Sequence, residues 1–164
     1  MNLNCLTTFL IFMLFACTPA LFGQSQAVPK DFAAFLSQMD SAQLELQNGR
    51  PDRFKALWSH DEDVTLSGGF GGKVEKGWTS VSKRLDWAGQ QFSNGTNTID
   101  RLVTRAEGKI GYVVQLEQIR FKIPETQAEA TMNYRVTMIF RLQKDGWKIV
   151  HRHADSQTAK RPAQ

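Results

Sequence analysis

The run Tyr134-Arg135-Val136-Thr137-Met138-Ile139-Phe140-Arg141, followed by Asp145-Gly146-Trp147-Lys148-Ile149-Val150-His151-Arg152-His153-Ala154-Asp155, decides the fold. Apolar and polar residues alternate through both halves, the pattern of strands with one buried face. Lys144-Asp145-Gly146 between them supplies the glycine that a tight hairpin turn needs. Reading backward, residues 128–143, 110–123 and 99–106 carry the same alternation, broken at Pro124-Glu125-Thr126 and Glu107-Gly108-Lys109. With residues 147–153, four long strands joined by short turns are expected.

Upstream the period changes. Phe32, Phe35, Leu36, Met39, Leu44 and Leu46 predict an amphipathic helix over residues 31–47, stopped at Asn48-Gly49. Pro51 starts a short second helix that holds Phe54, Leu57 and Trp58. Val64-Thr65-Leu66-Ser67 alternates like a strand, and Gly68-Gly69-Phe70-Gly71-Gly72 makes a turn. That turn lacks the Gly-Lys-Ser/Thr ending of a phosphate cradle. Residues 79–92 return to helical spacing through Val81, Leu85, Trp87 and Ala88, ending at Ser93-Asn94-Gly95. Helices first and hairpins after give an α+β domain: a curved antiparallel sheet with about three N-terminal helices on one face.

The chain has 164 residues, 41% hydrophobic, with 20 Lys+Arg against 16 Asp+Glu. That is one domain. The basic residues are scattered, which argues against a nucleic-acid footprint. Residues 1–29 carry no charged side chain. Residues 6–16 are nearly all apolar, the length of a signal-peptide core and too short to span a membrane. Export is expected, to the periplasm or beyond, with a signal peptide at 1–27 cleaved near Gly23 or Ala27. The leading Met1-Asn2-Leu3-Asn4-Cys5 departs from the pattern in having no Lys or Arg. In a second reading, Leu14-Phe15-Ala16-Cys17 resembles a lipobox and Cys17 carries a lipid anchor. Both cysteines lie in or beside the removed segment, so a mature domain at 30–156 has no disulfide. The polar stretch 157–164, with Pro162, is expected to be a flexible tail.

The order helix, helix, strand, helix, four strands is similar to the cone-shaped nuclear transport factor 2-like fold. Asp61-Glu62-Asp63-Val64-Thr65-Leu66, followed by Gly77-Trp78-Thr79-Ser80-Val81, resembles SnoaL-like proteins, as does the final hairpin quoted above. That hairpin is also similar to the ending of the calcium/calmodulin-dependent kinase II association domain. The resemblance implies a cone pocket lined by one sheet face and a small organic molecule as ligand. Acid–base chemistry of cyclase, isomerase or hydrolase type is one implied activity. A non-catalytic binding or dimerisation module is the other, because this fold hosts both.

Strand alternation places Trp147, Ile149, His151 and His153 on one face, and Asn133, Arg135, Thr137 and Ile139 on one face of the preceding strand. With a pocket on that side, His151 and His153 are the catalytic candidates, since imidazole moves protons near neutral pH. Asp155 is a third, as a counterpart of the acid in SnoaL-like cyclases. Arg135, Glu117, Thr137 and Trp87 are the substrate-binding candidates: Arg135 for a carboxylate or enolate oxygen, Trp87 because the third helix covers the cone mouth in this fold. The competing reading makes these residues structural hydrogen-bonders or a dimer surface. His151 and His153 are two residues apart on a strand, as a metal pair requires, but a third ligand would have to come from Glu117, Asp155 or His60; no metal or cofactor is expected. Asp61, Glu62 and Asp63 read as a general base at the cone mouth or as a solvated acidic turn. Tyr112 and Tyr134 match no ketosteroid-isomerase motif. Met132, Tyr134, Val136, Met138, Phe140 and Leu142 form an apolar stripe that helices or a second subunit must cover, which makes a homodimer plausible.

Overall fold

The computed structural model describes residues 30–156. The expected signal segment 1–27, the lipid anchor at Cys17 and the tail 157–164 lie outside the described residues. The elements in chain order are α1 (Lys30–Leu46), α2 (Asp52–Ala56), β1 (Thr65–Ser67), β2 (Glu75–Lys76), α3 (Trp78–Gly89), β3 (Ser93–Glu107), β4 (Ile110–Lys122), β5 (Glu129–Gln143) and β6 (Gly146–Asp155). They build one six-stranded sheet in the order β2-β1-β6-β5-β4-β3. All neighbours run antiparallel except β1 and β6, which are parallel. The α+β architecture with three N-terminal helices is the one the periodicity predicts. Among the described residues, no helix is long and apolar enough to cross a membrane.

Helix α1 lies along the concave face of the sheet. Its Phe32, Phe35, Leu36, Met39, Ala42 and Leu46 form one buried stripe at helical spacing. Phe32 is the anchor: its ring sits 5.3 Å from Phe140 and 4.7 Å from Trp147. The apolar stripe of β5 is thus covered by helices. Tyr134, Val136, Met138 and Phe140 are buried, with Met132 and Leu142 packed at the edges.

Gly49, at φ 79°, follows the end of α1. Asn48 then ties that end to β3, donating to the Gly95 carbonyl at 3.0 Å and accepting from the Gly95 N–H at 3.0 Å. A Cβ on Gly95 would stand 2.2 Å from the Gln47 carbonyl oxygen, so only glycine allows this approach. Here the structure corrects an expectation. Ser93-Asn94-Gly95 does not end α3, which stops at Gly89; these residues open β3, with a register shift before Thr96.

A second correction matters more. Phe140 pairs with Ile149, but Ile139 pairs with His151, so Val150 is an extra residue, a β-bulge. One inserted residue reverses which side chains face inward. Trp147 and Ile149 point into the core before the bulge; after it Ala154 is buried and Arg152 is turned inward. His151 and His153 therefore do not share a face with Trp147 and Ile149. They lie on the convex face.

Candidate functional site

The concave face is mostly apolar, with a polar cluster at its centre and Arg101 of β3 paired to Asp40 of α1 at its edge. Strand β4 sends Val113, Gln115, Glu117, Ile119 and Phe121 inward, all buried. Glu117 is 1% exposed, and the bulge in β6 brings Arg152 to it. The guanidinium binds the carboxylate with both forks: Nη1 donates to Oε1 at 2.9 Å and Nη2 to Oε2 at 2.8 Å. Gln115 Nε2 donates to Oε1 at 2.6 Å, and Gln43 Nε2, from α1, donates to Oε2 at 2.9 Å. Burial alone would raise the pKa of Glu117. Arg152 and the two amides outweigh it, by charge and by hydrogen bonding, and hold the carboxyl below its ordinary range. Glu117 is therefore ionised and its lone pairs are occupied. It is a fixed charge and a weak base.

Beside this pair lies a cavity of about 70 Å³, partly open to solvent. Its apolar walls are Leu46 and Phe54 below, Leu85 and Phe92 at the side, and Leu66 and Phe70 toward β1. Its polar lining is Gln43, Gln47, Tyr134, Arg152 and Arg84. Tyr134 is opposite Glu117 in the β4–β5 register. Burial pushes its phenol up to about 12; Glu117 adds to the rise and Arg152 opposes it. Tyr134 thus stays a neutral O–H donor, and it donates to the Met132 sulfur. The glycine turn after β1 closes the cavity on this side. A Cβ on Gly69 would stand 2.3 Å from the Tyr134 ring, so that turn packs directly on the ring.

The expected site residues divide between the two faces. Glu117 is at the concave centre. Arg135, Thr137, His151 and His153 are neighbours, as expected, but on the convex face, away from the cavity: Thr137 pairs with His153, and Arg135 with Asp155. Arg135 donates to Asp155 Oδ1 from Nε at 3.0 Å and from Nη2 at 2.7 Å. His151 Nδ1 is 2.8 Å from Thr65 Oγ1. Burial first, then the adjacent His153, lowers the His151 pKa, favouring neutral imidazole. Trp87 is 40% exposed and does not line the cavity. It braces the wall from outside, with its ring edge-on to Phe70 at 5.4 Å and Arg84 stacked on it at 4.2 Å.

The acidic run is an ion-paired turn. Asp63 accepts from both forks of Arg141 at 2.8 and 2.9 Å, which lowers its pKa. Asp61 accepts from Arg141 at 3.0 Å, Gln143 at 2.9 Å and Ser59 at 2.6 Å. None of these residues lines the cavity. Among the described residues, no group of three His, Cys, Asp or Glu side chains is placed to hold a metal ion.

Sequence reasoning missed Arg152, Tyr134, Gln43 and Gln47. The signal was present for the last two: Gln43 and Gln47 are polar residues one turn apart inside an apolar helical stripe. Arg152 was hidden by the bulge.

Comparison with known proteins agrees with this fold. A family model described as the SnoaL-like domain matches residues 35–158. No curated protein sequence matches the chain. Among solved structures, a protein from Streptomyces avermitilis, provisionally called a dehydratase of the NTF2-like family, is similar with a TM-score of 0.68 and 18% identity, over 80% of this chain and all of that one (100%). A protein from Xanthomonas campestris, provisionally called a calcium/calmodulin-dependent protein kinase II association domain, gives 0.65 and 14%, over 82% and 94%. A ketosteroid isomerase-like protein from Erwinia carotovora atroseptica gives 0.59 and 11%, over 79% and 93%. At these identities the likeness is one of fold. With the family match spanning most of the domain, the chain belongs to the SnoaL-like family, and its fold is like that of nuclear transport factor 2-like proteins.

Proposed function

We propose that the chain is an exported SnoaL-like protein that binds a small organic molecule in the concave cavity. One observation carries the reading: an apolar cavity ends on a buried, neutralised Glu117–Arg152 pair and a neutral Tyr134 hydroxyl. Apolar walls supply binding energy and a few fixed polar groups supply orientation. Binding without turnover is favoured over acid–base catalysis. The one carboxylate beside the cavity has its lone pairs filled, and the imidazoles of His151 and His153 are on the other face.

A thermal-shift screen of small organic molecules tests this. A ligand at about 100 times its dissociation constant should add roughly 2.7 kcal/mol of stability. Ala88 lines the cavity from α3. Ala88→Phe should fill the cavity and abolish the shift, and His153→Ala should leave it intact. A shift that survives Ala88→Phe and disappears in His153→Ala would move the site to the convex face. Export rests on the uncharged, apolar leader. Mass spectrometry of protein from a bacterial host should find an N-terminus after Gly23 or Ala27, or a lipid on Cys17. An intact Met1 on the bulk of the protein would contradict export.

A specific feature favours a homodimer as well. The convex face exposes Tyr112, Leu116 and Ile139 on adjacent strands, with Leu102 and Ile110 beside them. Such a patch on a soluble domain is expected to be covered, and a two-fold pair of convex faces would cover it. Sedimentation should give a dimer for the native protein and a monomer for Leu116→Arg. A native monomer at about 0.1 mM, where even weak dimers assemble, would refute this.

A further inference from the structure

The lining of the cavity is unbalanced in charge, and the imbalance names a class of ligand; the argument rests on the binding reading above. Two cations line the cavity, Arg84 and Arg152. Arg152 is fully engaged, with both forks of its guanidinium on Glu117 at 2.9 and 2.8 Å. Arg84 is different. Among the described residues no carboxylate pairs with it. It projects from α3 and is only half-buried, so it stands where the cavity meets solvent. Its guanidinium is held in place by neutral groups. The Trp87 ring centre is 4.2 Å away. Gly68, which also lines the cavity, is on another side: a Cβ there would stand 3.5 Å from both Arg84 Nε and Nη2. Nη2 donates to the Gly71 carbonyl at 2.8 Å. A guanidinium has five N–H donors, so most of the Arg84 fork is left to give.

The fork geometry matches a carboxylate, and a head already held by its neighbours loses little freedom on binding one. Inward from Arg84 the walls are apolar, with Leu46, Phe54, Leu85 and Phe92. We propose that the ligand is an apolar monocarboxylate, its carboxylate on the Arg84 fork at the mouth and its hydrocarbon body inside. Charge sets this orientation. Turned round, the carboxylate would give up its water and meet the Glu117 charge, with the Arg152 fork already occupied. An ammonium at the mouth would face Arg84. A dianion would bring a second charge for which the lining holds no free cation.

The test is calorimetric titration of the native protein, at one ionic strength, with phenylacetate, phenylacetamide and phenethylamine, which share a body and differ in charge. Phenylacetate should bind on the order of tenfold tighter than the amide, the ratio one charge-assisted contact produces, and the amine should be weakest. In Arg84→Gln that ratio should fall to about one. Lys83→Gln removes the same charge from an exposed neighbour on α3 that does not line the cavity, and the ratio should persist there. A second measurement needs no variant: the resonance of phenylacetate labelled at its carboxyl carbon, followed against pH. Bound to Arg84, the acid should titrate at lower pH than when free, because the guanidinium favours the charged form. Titration at higher pH than the free acid would overturn the proposal, since the carboxyl would then be buried away from Arg84. Amide binding as tight as phenylacetate would overturn it and leave a neutral apolar pocket. A preference that survives Arg84→Gln would overturn it as an effect of the overall positive charge. In each case the binding reading survives. If none of the three probes binds, the proposal falls, and the binding reading falls with it only if no screened molecule gives a melting shift that Ala88→Phe removes.

Discussion

Arg152→Met is expected to destabilise the domain by about 3–5 kcal/mol at neutral pH, the scale for removing one partner of a buried ion pair. By the size scaling, the melting point should fall on the order of 10–20 °C. The reason is Glu117, which is 1% exposed and depends on Arg152 for two of its four hydrogen bonds. The pH dependence makes the cause recognisable. In the native protein the Glu117 pKa is lowered on folding. Its contribution to stability is therefore present above the unfolded value, about 4.3, and is lost as pH falls through the lower folded value. Without Arg152 the burial effect is no longer outweighed and the folded value rises above 4.3. The variant should then gain stability relative to the native protein as pH drops from about 7 to 5, a range in which the depressed His151 imidazole costs both alike. Denaturant midpoints from about pH 3.5 to 8 read this directly. Glu117→Leu combined with Arg152→Met should recover most of the loss, because no lone charge stays buried. Parallel pH curves for native and single variant would contradict the pair's role.

Phe32→Ala should be as damaging, at about 3–5 kcal/mol for a buried aromatic. Phe32 is 0% exposed and touches the rings of Phe140 and Trp147, so it fastens α1 to the two strands of the final hairpin. Opposite it is Gly111, where a Cβ would stand 2.7 Å from the Phe32 ring. Gly111→Ala alone should cost about 1–3 kcal/mol through overpacking. In the Phe32→Ala background the same change should cost little, since the ring it strikes is gone. A double-mutant cycle on chemical unfolding would show this as coupling on the order of 1 kcal/mol or more. Additive effects would mean that α1 is not held to β4 and β5 by this contact.

The sequence made some parts of this molecule legible and hid others for definable reasons. β5 and α1 were readable because burial follows one period along each, whereas β3 and β6 carry register shifts. On β4 burial alternates from Val113 to Phe121, but the inward Gln115 and Glu117 are polar and the outward Leu116 is apolar, so residue type did not mark the inward face there. The His151 and His153 face could not be read, because the bulge at Val150 depends on how β5 and β6 pair, which is a tertiary choice with no local residue signature. The same bulge hid Arg152, whose neighbours on both sides are histidines that draw attention as catalytic groups. β2 was missed since two residues carry no period. Gln43 and Gln47 were visible as breaks in an apolar stripe, yet their meaning came only from the carboxylate that α1 meets across the core.

On the proposed reading the working face of this domain is the concave one, at Glu117, Arg152 and Tyr134, and not the convex face with His151 and His153. Amide chemical-shift mapping of the isotope-labelled protein, titrated with a ligand that raises its melting point, separates the two faces. The largest shifts should fall on Gln43, Gln47, Phe92, Tyr134 and Arg152. Shifts centred on Arg135, Thr137, His151 and His153 would contradict it.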